Sequence, residues 1–244
     1  MGRVLEARGL RKAYRGTVAV DGVDLTVAVG ERVALLGPNG AGKTTTLLML
    51  LGAITPDAGT VEVLGVRLPA GRSRAMEQVG FAAGYLPLPE RLRVREVLGV
   101  FANLHGVADP EPSIAAGLER FRIGHLAGAW AGELSSGQRT LVGIVKATVH
   151  RPRLLVLDEP TASLDPDVAR RVREGVERIC DEDGTALLVT SHNMTDVERI
   201  CERVVFLSRG RVVADGSPGD VASAFGQPNL EEVFVHLAEQ EEST

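Results

Sequence analysis

Aromatic side chains are scarce in this chain: 4% of 244 residues, with a single tryptophan. Flat platforms of the kind on which single-stranded nucleic acid stacks are therefore not evident. Positive charge is not in surplus either. A formal net charge of -5 argues against a phosphate backbone as the main partner, and no nucleic acid is expected. Cysteine is limited to Cys180 and Cys201, without the paired spacing of a zinc site, and both read as small core hydrophobes in a reducing compartment. No apolar run approaches the ~20 residues that cross a bilayer, and the opening MGRVLEARG lacks the apolar core of a secretory leader. The chain is expected not to cross a membrane itself.

What is present is an ordinary globular composition, 44% hydrophobic and 24% charged, over a length that suits one large α/β domain or two small ones. The most informative stretch is GPNGAGKTT, residues 37–45, preceded by the apolar run ERVALL and followed by TLLMLL. It fits G-x-x-x-x-G-K-[ST] where a buried strand gives way to a helix, the context this motif requires. Gly37, Gly40 and Gly42 allow positive φ and bring successive N–H groups near phosphate oxygens, while the helix directs its positive end at the same anion. Pro38, Asn39 and Ala41 complete the loop, Lys43 reaches toward the β- and γ-phosphates, and Thr44, next to Thr45, offers a hydroxyl to Mg²⁺.

Ahead of this loop, the alternation in VLEARGL and TVAVDGVDLTV predicts short antiparallel strands broken by Gly9, Gly16, Gly22 and Gly30. Tyr14 lies in the turn between two of them, either as a base-stacking ring or as a half-buried strand residue. After the loop, GTVEVLG reads as a strand returning to that sheet. From about residue 85 to 150 the apolar spacing becomes helical in EVLGVFANLHG, IAAGLERF and RTLVGIVKATV, which predicts a helical subdomain inserted into the sheet domain.

Inside that insertion ELSSGQ precedes a helix. Ser135 and Ser136 read equally as N-cap hydroxyls or as phosphate-facing groups at a second helix start. RPRLLVLDEPTASLDP then describes a fully buried parallel strand, which leaves Asp158 and Glu159 at its C-terminal tip, where open α/β sheets bind ligands. There Asp158 suits the Mg²⁺ shell, through water, and Glu159 suits activation of a water for in-line attack. His192, at the end of TALLVTSH, is either a structural histidine or a contact to a γ-phosphate oxygen. RVVFLSRGRVVADG predicts a hairpin turning at Arg209 and Gly210. In the tail, Leu230, Val233, Phe234 and Leu237 share a helical face that reads as cover for a sheet edge, with partner contact as the other reading.

The loop at 37–45, ELSSGQ, LLVLDEP, SLD and a strand-tip histidine, in this order and spacing, resemble the ATP-binding subunit of an ABC transporter. The resemblance covers nearly the whole chain. It implies an α/β fold with a P-loop NTPase (RecA-like) core, an antiparallel β subdomain and an inserted helical subdomain. Within one such domain spanning 1–244, the β subdomain and core would occupy 1–84 and 150–225, the helical insertion 85–149, and a C-terminal helix and tail 226–244. In the family's terms Tyr14 stacks on adenine, residues 37–45 form the Walker A loop, Asp158 is the Walker B aspartate and Glu159 the catalytic base. Leu134, Ser135, Ser136, Gly137 and Gln138 form the signature motif acting in trans, Ser163, Leu164 and Asp165 the loop crossing the dimer interface, and His192 the switch histidine. ATP and Mg²⁺ are implied. So are a transmembrane permease, a second copy of the chain or a paralogue bound head to tail, and a peripheral place on the cytoplasmic face of the membrane.

The chain departs from the family pattern twice. Gly84 stands where a glutamine usually ligates Mg²⁺ and senses the attacking water, with Gln78 too far upstream to replace it, and Ser136 stands where glycine is usual in the signature. VREVLGVFANLHGV, SHNMTDVERICERV and NLEEVFVHL resemble the subgroup driving multidrug-type, sodium-type and related exporters. By the same resemblance the surface at 85–95 would meet the permease. Two other readings belong to the wider family: a soluble ABC ATPase uncoupled from transport, or a weakly hydrolysing nucleotide-sensing regulator. Repair-type members carry a long coiled coil and ribosome-acting members two phosphate cradles in one chain; this sequence carries neither.

Overall fold

A computed structural model describes residues 2–84 and 86–242. In chain order its elements are β1 (Arg3–Tyr14), β2 (Thr17–Ala28), β3 (Arg32–Leu36), α1 (Lys43–Leu50), β4 (Ala58–Val63), β5 (Val66–Arg67), α2 (Arg72–Met76), β6 (Val79–Ala83), α3 (Val94–Leu104), α4 (Pro110–Arg120), α5 (Ser136–Thr148), β7 (Leu154–Asp158), α6 (Pro166–Asp183), β8 (Ala186–Thr190), α7 (Met194–Ile200), β9 (Arg203–Ser208), β10 (Arg211–Gly216), α8 (Pro218–Ala224) and α9 (Leu230–Glu242). The described residues form two compact units. One runs up to Met76 and resumes at Leu188; the other is Glu77–Leu187.

In the first unit β2, β1, β4 and β5 make an antiparallel sheet. The expectation of short, glycine-broken strands is corrected here at two positions. β1 and β2 each run for 12 residues, and Gly9 and Gly22 lie inside them. The register slips between Ala7 and Leu10 on β1 and again between Leu10 and Arg11, so each glycine occupies a bulge, with φ of 57° and 75°. A bulge bends the strand without ending it, and glycine takes the left-handed backbone without a Cβ clash. Gly16 does end a strand. With Arg15 it forms the two-residue turn between Tyr14 and Thr17, both central residues at positive φ, as tight hairpins require.

The same unit holds a parallel pair, β3 with β9, and β9 turns antiparallel into β10 at Arg209 and Gly210, as expected from the sequence. Val33, Ala34, Leu35 and Leu36 are wholly buried. Arg203, at the start of β9, is gripped by Asp215 at 2.5 and 2.6 Å and by Glu31 at 3.2 Å. Those two carboxylates hold its guanidinium charged, far above any working pH.

The second unit pairs β6 with β7 in parallel, in register from Val79 opposite Leu154 to Ala83 opposite Asp158. β7 is buried along its whole length, which is why its sequence shows no alternation. α5 lies directly on β6: a Cβ at Gly80 would come within 2.1 Å of the Ala147 carbonyl oxygen. α6 packs with comparable closeness, since a Cβ at Gly175 would meet the Phe121 ring at 2.2 Å. At the far ends of α4 and α6, Arg120 pairs with Asp183 at 2.7 Å and Glu182 at 3.0 Å.

Candidate functional site

The loop at 37–45 connects β3 to α1 in the first unit. Gly37, Gly40 and Gly42 all have positive φ, at 145°, 86° and 101°, as the sequence predicts. Their reasons differ. A Cβ on Gly37 would lie 2.1 Å from the Leu207 carbonyl oxygen, and one on Gly42 would lie 2.4 Å from the Ala19 carbonyl oxygen, whereas Gly40 faces open space. Backbone packing against β9 and β2 therefore demands two of the glycines, and loop curvature demands the third. The β9–β10 turn fastens the loop from outside, with the Gly210 amide donating to the Ala41 carbonyl at 3.0 Å. Gly42 stands at the N-cap of α1. Lys43 is buried, and its ammonium donates to the carbonyls of Gly37 at 2.5 Å and Pro38 at 3.0 Å. Asn39, Gly40 and Thr44 are exposed at the mouth, and Thr45 is half-buried.

Two other predicted residues lie in this unit. Tyr14 closes β1 with its ring 45% exposed, and the Lys12 ammonium lies 5.7 Å from its centroid. Tyr14 is thus a partly covered strand residue whose exposed part is open to stacking. His192 follows β8 immediately before Asn193, whose side chain caps α7 by accepting from the Asp196 amide.

The second unit gathers most of the remaining residues around one cavity of about 710 Å³. Asp158 is buried at the end of β7, and Glu159 is half-buried beyond it. The next helix begins only at Pro166, so these carboxylates are strand-tip groups and not a helix cap. Glu159 and Ser163 are held at φ of 51° and 57°. Non-glycine residues in the left-handed region carry backbone strain, and such positions concentrate where a side chain must be aimed. Ala83 is in register with Asp158, and just past this last pair Gly84 and Glu159 both line the cavity. A Cβ at Gly84 would meet nothing within 4 Å. Gln78 lies at the opposite end of β6, where its carbonyl accepts from the Arg153 amide. Tyr85 falls outside the described residues.

For ELSSGQ the structure separates the two serines. Ser135 is the N-cap of α5, accepting from the Gln138 amide at 3.2 Å, and Gln138 Oε1 accepts from the Ser135 amide at 2.9 Å. This reciprocal pair is a capping box. Ser136, the first helical residue, is exposed and lines the cavity, so it does not cap as the sequence reading allowed. Leu134 is buried, and Gly137 is pressed against α6, where a Cβ would lie 3.1 Å from Val168. Ser163 and Leu164 also line the cavity, and Asp165 occupies the N-cap of α6 without a side-chain cap bond.

Sequence reasoning missed Arg139, Thr140 and Lys146, which line the same cavity from α5. The signal was legible as a polar stripe: with Ser136 and Gly143 they recur at steps of three and four along a helix whose opposite face is apolar. Lys146 lies 4.7 Å from the Phe101 ring centroid, and burial lowers its pKa from the ordinary lysine value. Within one unit, then, two carboxylates, hydroxyls and cations surround a space large enough for polar groups and water.

Residues 20–162 match the family model described as ABC transporter. A Nod factor export ATP-binding protein I from Burkholderia orbicola (strain AU 1054) is 38% identical over 216 residues, which cover 88% of this chain and 71% of that protein. The chain belongs to the ABC transporter ATP-binding family. Its fold agrees: the solved structure of an ATP-binding subunit of an ABC transporter matches with a TM-score of 0.89 at 30% identity, covering 96% of this chain and 99% of that one. The structure of cbiO1 from Clostridium perfringens, part of the ABC transporter complex cbiONQ, matches with a TM-score of 0.81 at 27% identity, over 91% and 92% of the two chains. As an ABC ATPase the chain binds and hydrolyses ATP. Subunits of this family work with transmembrane permease components. No helix among the described residues of this ABC subunit is long and apolar enough to cross a membrane.

Proposed function

We propose that the chain is the motor subunit of a membrane exporter of drugs or other small molecules, acting from the cytoplasmic face of the membrane beside a permease. The observation that carries the export reading is the 38% identity, across 88% of the chain, to a protein named for Nod factor export. The cargo class is read more broadly than that name, because selectivity belongs to the permease cavity.

Each residue then has a role. Residues 37–45 cradle the phosphates of ATP, and the Lys43 ammonium exchanges its two loop carbonyls for phosphate oxygens. Tyr14 stacks on the adenine. Thr44 and Asp158 are hard oxygen donors that fit Mg²⁺, a cation that takes few protein ligands and keeps its remaining coordination for water and phosphate. With such donors, Mg²⁺ would neutralise charge on the phosphates. Glu159 accepts the proton of the attacking water, and His192 donates a hydrogen bond to the γ-phosphate. Residues 134–138 meet the ATP of a second subunit, which is another copy or a paralogue bound head to tail, and residues 163–165 cross that interface. Ser136 brings a Cβ to that contact, where the family resemblance implies glycine. ATP favours the paired state because only that state contacts the γ-phosphate from both sides, and hydrolysis removes the difference.

Glu159→Gln tests this reading. It keeps the side chain's size and removes the base, so ATP should bind and the pair should persist. Sedimentation of the variant with saturating MgATP is expected to show a dimer that dissociates when nucleotide is removed. A monomer at saturating MgATP would sink the paired mechanism. One observation favours a second reading, a regulator that barely turns ATP over: Gly84 presents no side chain to the cavity that Glu159 lines. Equal, near-zero turnover in wild type and Glu159→Gln would select the regulator.

A further inference from the structure

The C-terminal helix is fastened by three residues of its apolar face. Leu230 and Val233 are wholly buried and Leu237 is 4% exposed, and the Leu230 amide adds a bond to Glu198 Oε1 of α7 at 3.3 Å. Phe234 lies on the same face by helical spacing, but it is only half-buried. Its ring meets the His192 imidazole nearly perpendicularly, with centroids 5.6 Å apart and planes at 87°. That is the edge-to-face arrangement aromatic pairs prefer. Beside His192, Asn193 caps α7, the helix to which the Leu230 amide ties α9.

From this geometry we infer that Phe234 is a positioning residue for ATP hydrolysis: it holds the His192 imidazole in the orientation in which it reaches the γ-phosphate. The inference rests on the reading of His192 as the switch histidine. α9 is then more than cover for a sheet edge, since it carries a rigid ring to a side chain that must respond to the γ-phosphate. Anchoring and aiming fall to different residues of the helix. Leu230, Val233 and Leu237 can hold α9 in place when the Phe234 ring is changed, which separates the positioning role from a folding role.

The test is MgATP turnover by the full 244-residue chain in Phe234→Leu, Phe234→Tyr, His192→Ala and the double variant Phe234→Leu/His192→Ala. Melting temperatures report folding, and Val235→Ala, at an exposed position of α9, serves as a control expected to turn over like wild type. Phe234→Leu keeps the apolar bulk and removes the ring. It should lower kcat about two- to tenfold, the worth of one aromatic pair, with KM for ATP unchanged. Phe234→Tyr should restore wild-type kcat, and Phe234→Leu should have no further effect once His192 is alanine. Wild-type kcat in Phe234→Leu, a higher KM at constant kcat, or losses that multiply in the double variant would each overturn the positioning role. Wild-type turnover in His192→Ala would overturn it by a different route, by removing the histidine assignment itself, and the single variants tell the two failures apart.

Discussion

Gly84 stands where the family resemblance leads one to expect a glutamine. It lines the same cavity as Glu159, and its would-be Cβ meets open space at a backbone conformation any residue can adopt. Gly84→Gln should therefore fold with an unchanged melting temperature and place an amide beside the attacking water. Steady-state turnover against Mg²⁺ concentration is expected to rise above wild type, and a variant with unchanged turnover and unchanged Mg²⁺ dependence would refute the idea. Other single residues were legible for plain reasons. The glycines of the 37–45 loop could be read as positive-φ positions because the motif fixes their spacing. That a Cβ at Gly37 would strike the Leu207 carbonyl was not legible, since the two residues are distant in sequence. The left-handed backbone of Glu159 was equally hidden, because glutamate carries no signal for it.

At the scale of elements, apolar pattern and capping chemistry carried most of the information. β7 and β8, uninterrupted apolar runs, are buried along their whole lengths, and the Ser135–Gln138 box starts α5 where the sequence places a helix start. The misjudged element was the β1–β2 hairpin. Gly9 and Gly22 read as stops, but a glycine within a strand can equally mark a bulge, and only the pairing partner decides between them. A contact the sequence does not foretell joins the ends of two helices. The rings of His105, just after α3, and His150, just after α5, stack with centroids 3.7 Å apart and planes at 13°. Burial, reinforced by the His105 ring, depresses the pKa of His150 from 6.5 to about 4. Between those values the unfolded chain binds a proton that the folded chain does not. The contribution of His150 to stability is therefore full above about pH 6.5 and is lost as the pH falls toward about 4. His150→Phe keeps a stacking ring and removes the proton site. Its melting temperature should fall less than that of wild type between about pH 7 and about pH 4.5; equal falls would show that His150 is not a source of the acid sensitivity.

At the scale of the whole molecule, the order of the motifs was the strongest signal in the sequence. Each is modest alone, and their succession from the loop at 37–45 to His192 pointed to the family that the comparisons establish. Less legible was the cavity of the second unit, because its walls come from β6, α5 and the end of β7, which are remote in sequence. The contribution of α9 was read only as an apolar face, since no periodicity can reveal which neighbour a half-buried ring touches. No helix among the described residues is long and apolar enough to cross a membrane, and the proposed exporter role calls for a membrane partner. The measurement that bears most directly on the exporter reading is affinity purification of the tagged chain from gently solubilised native membranes, with mass spectrometry of what accompanies it. A polytopic membrane protein in stoichiometric amount is the expected result, and its cavity would then be tested for cargo. Recovery of the chain in the soluble fraction, alone or with ribosomes or iron-sulfur assembly factors, would contradict the exporter reading and leave an ABC ATPase that works apart from transport.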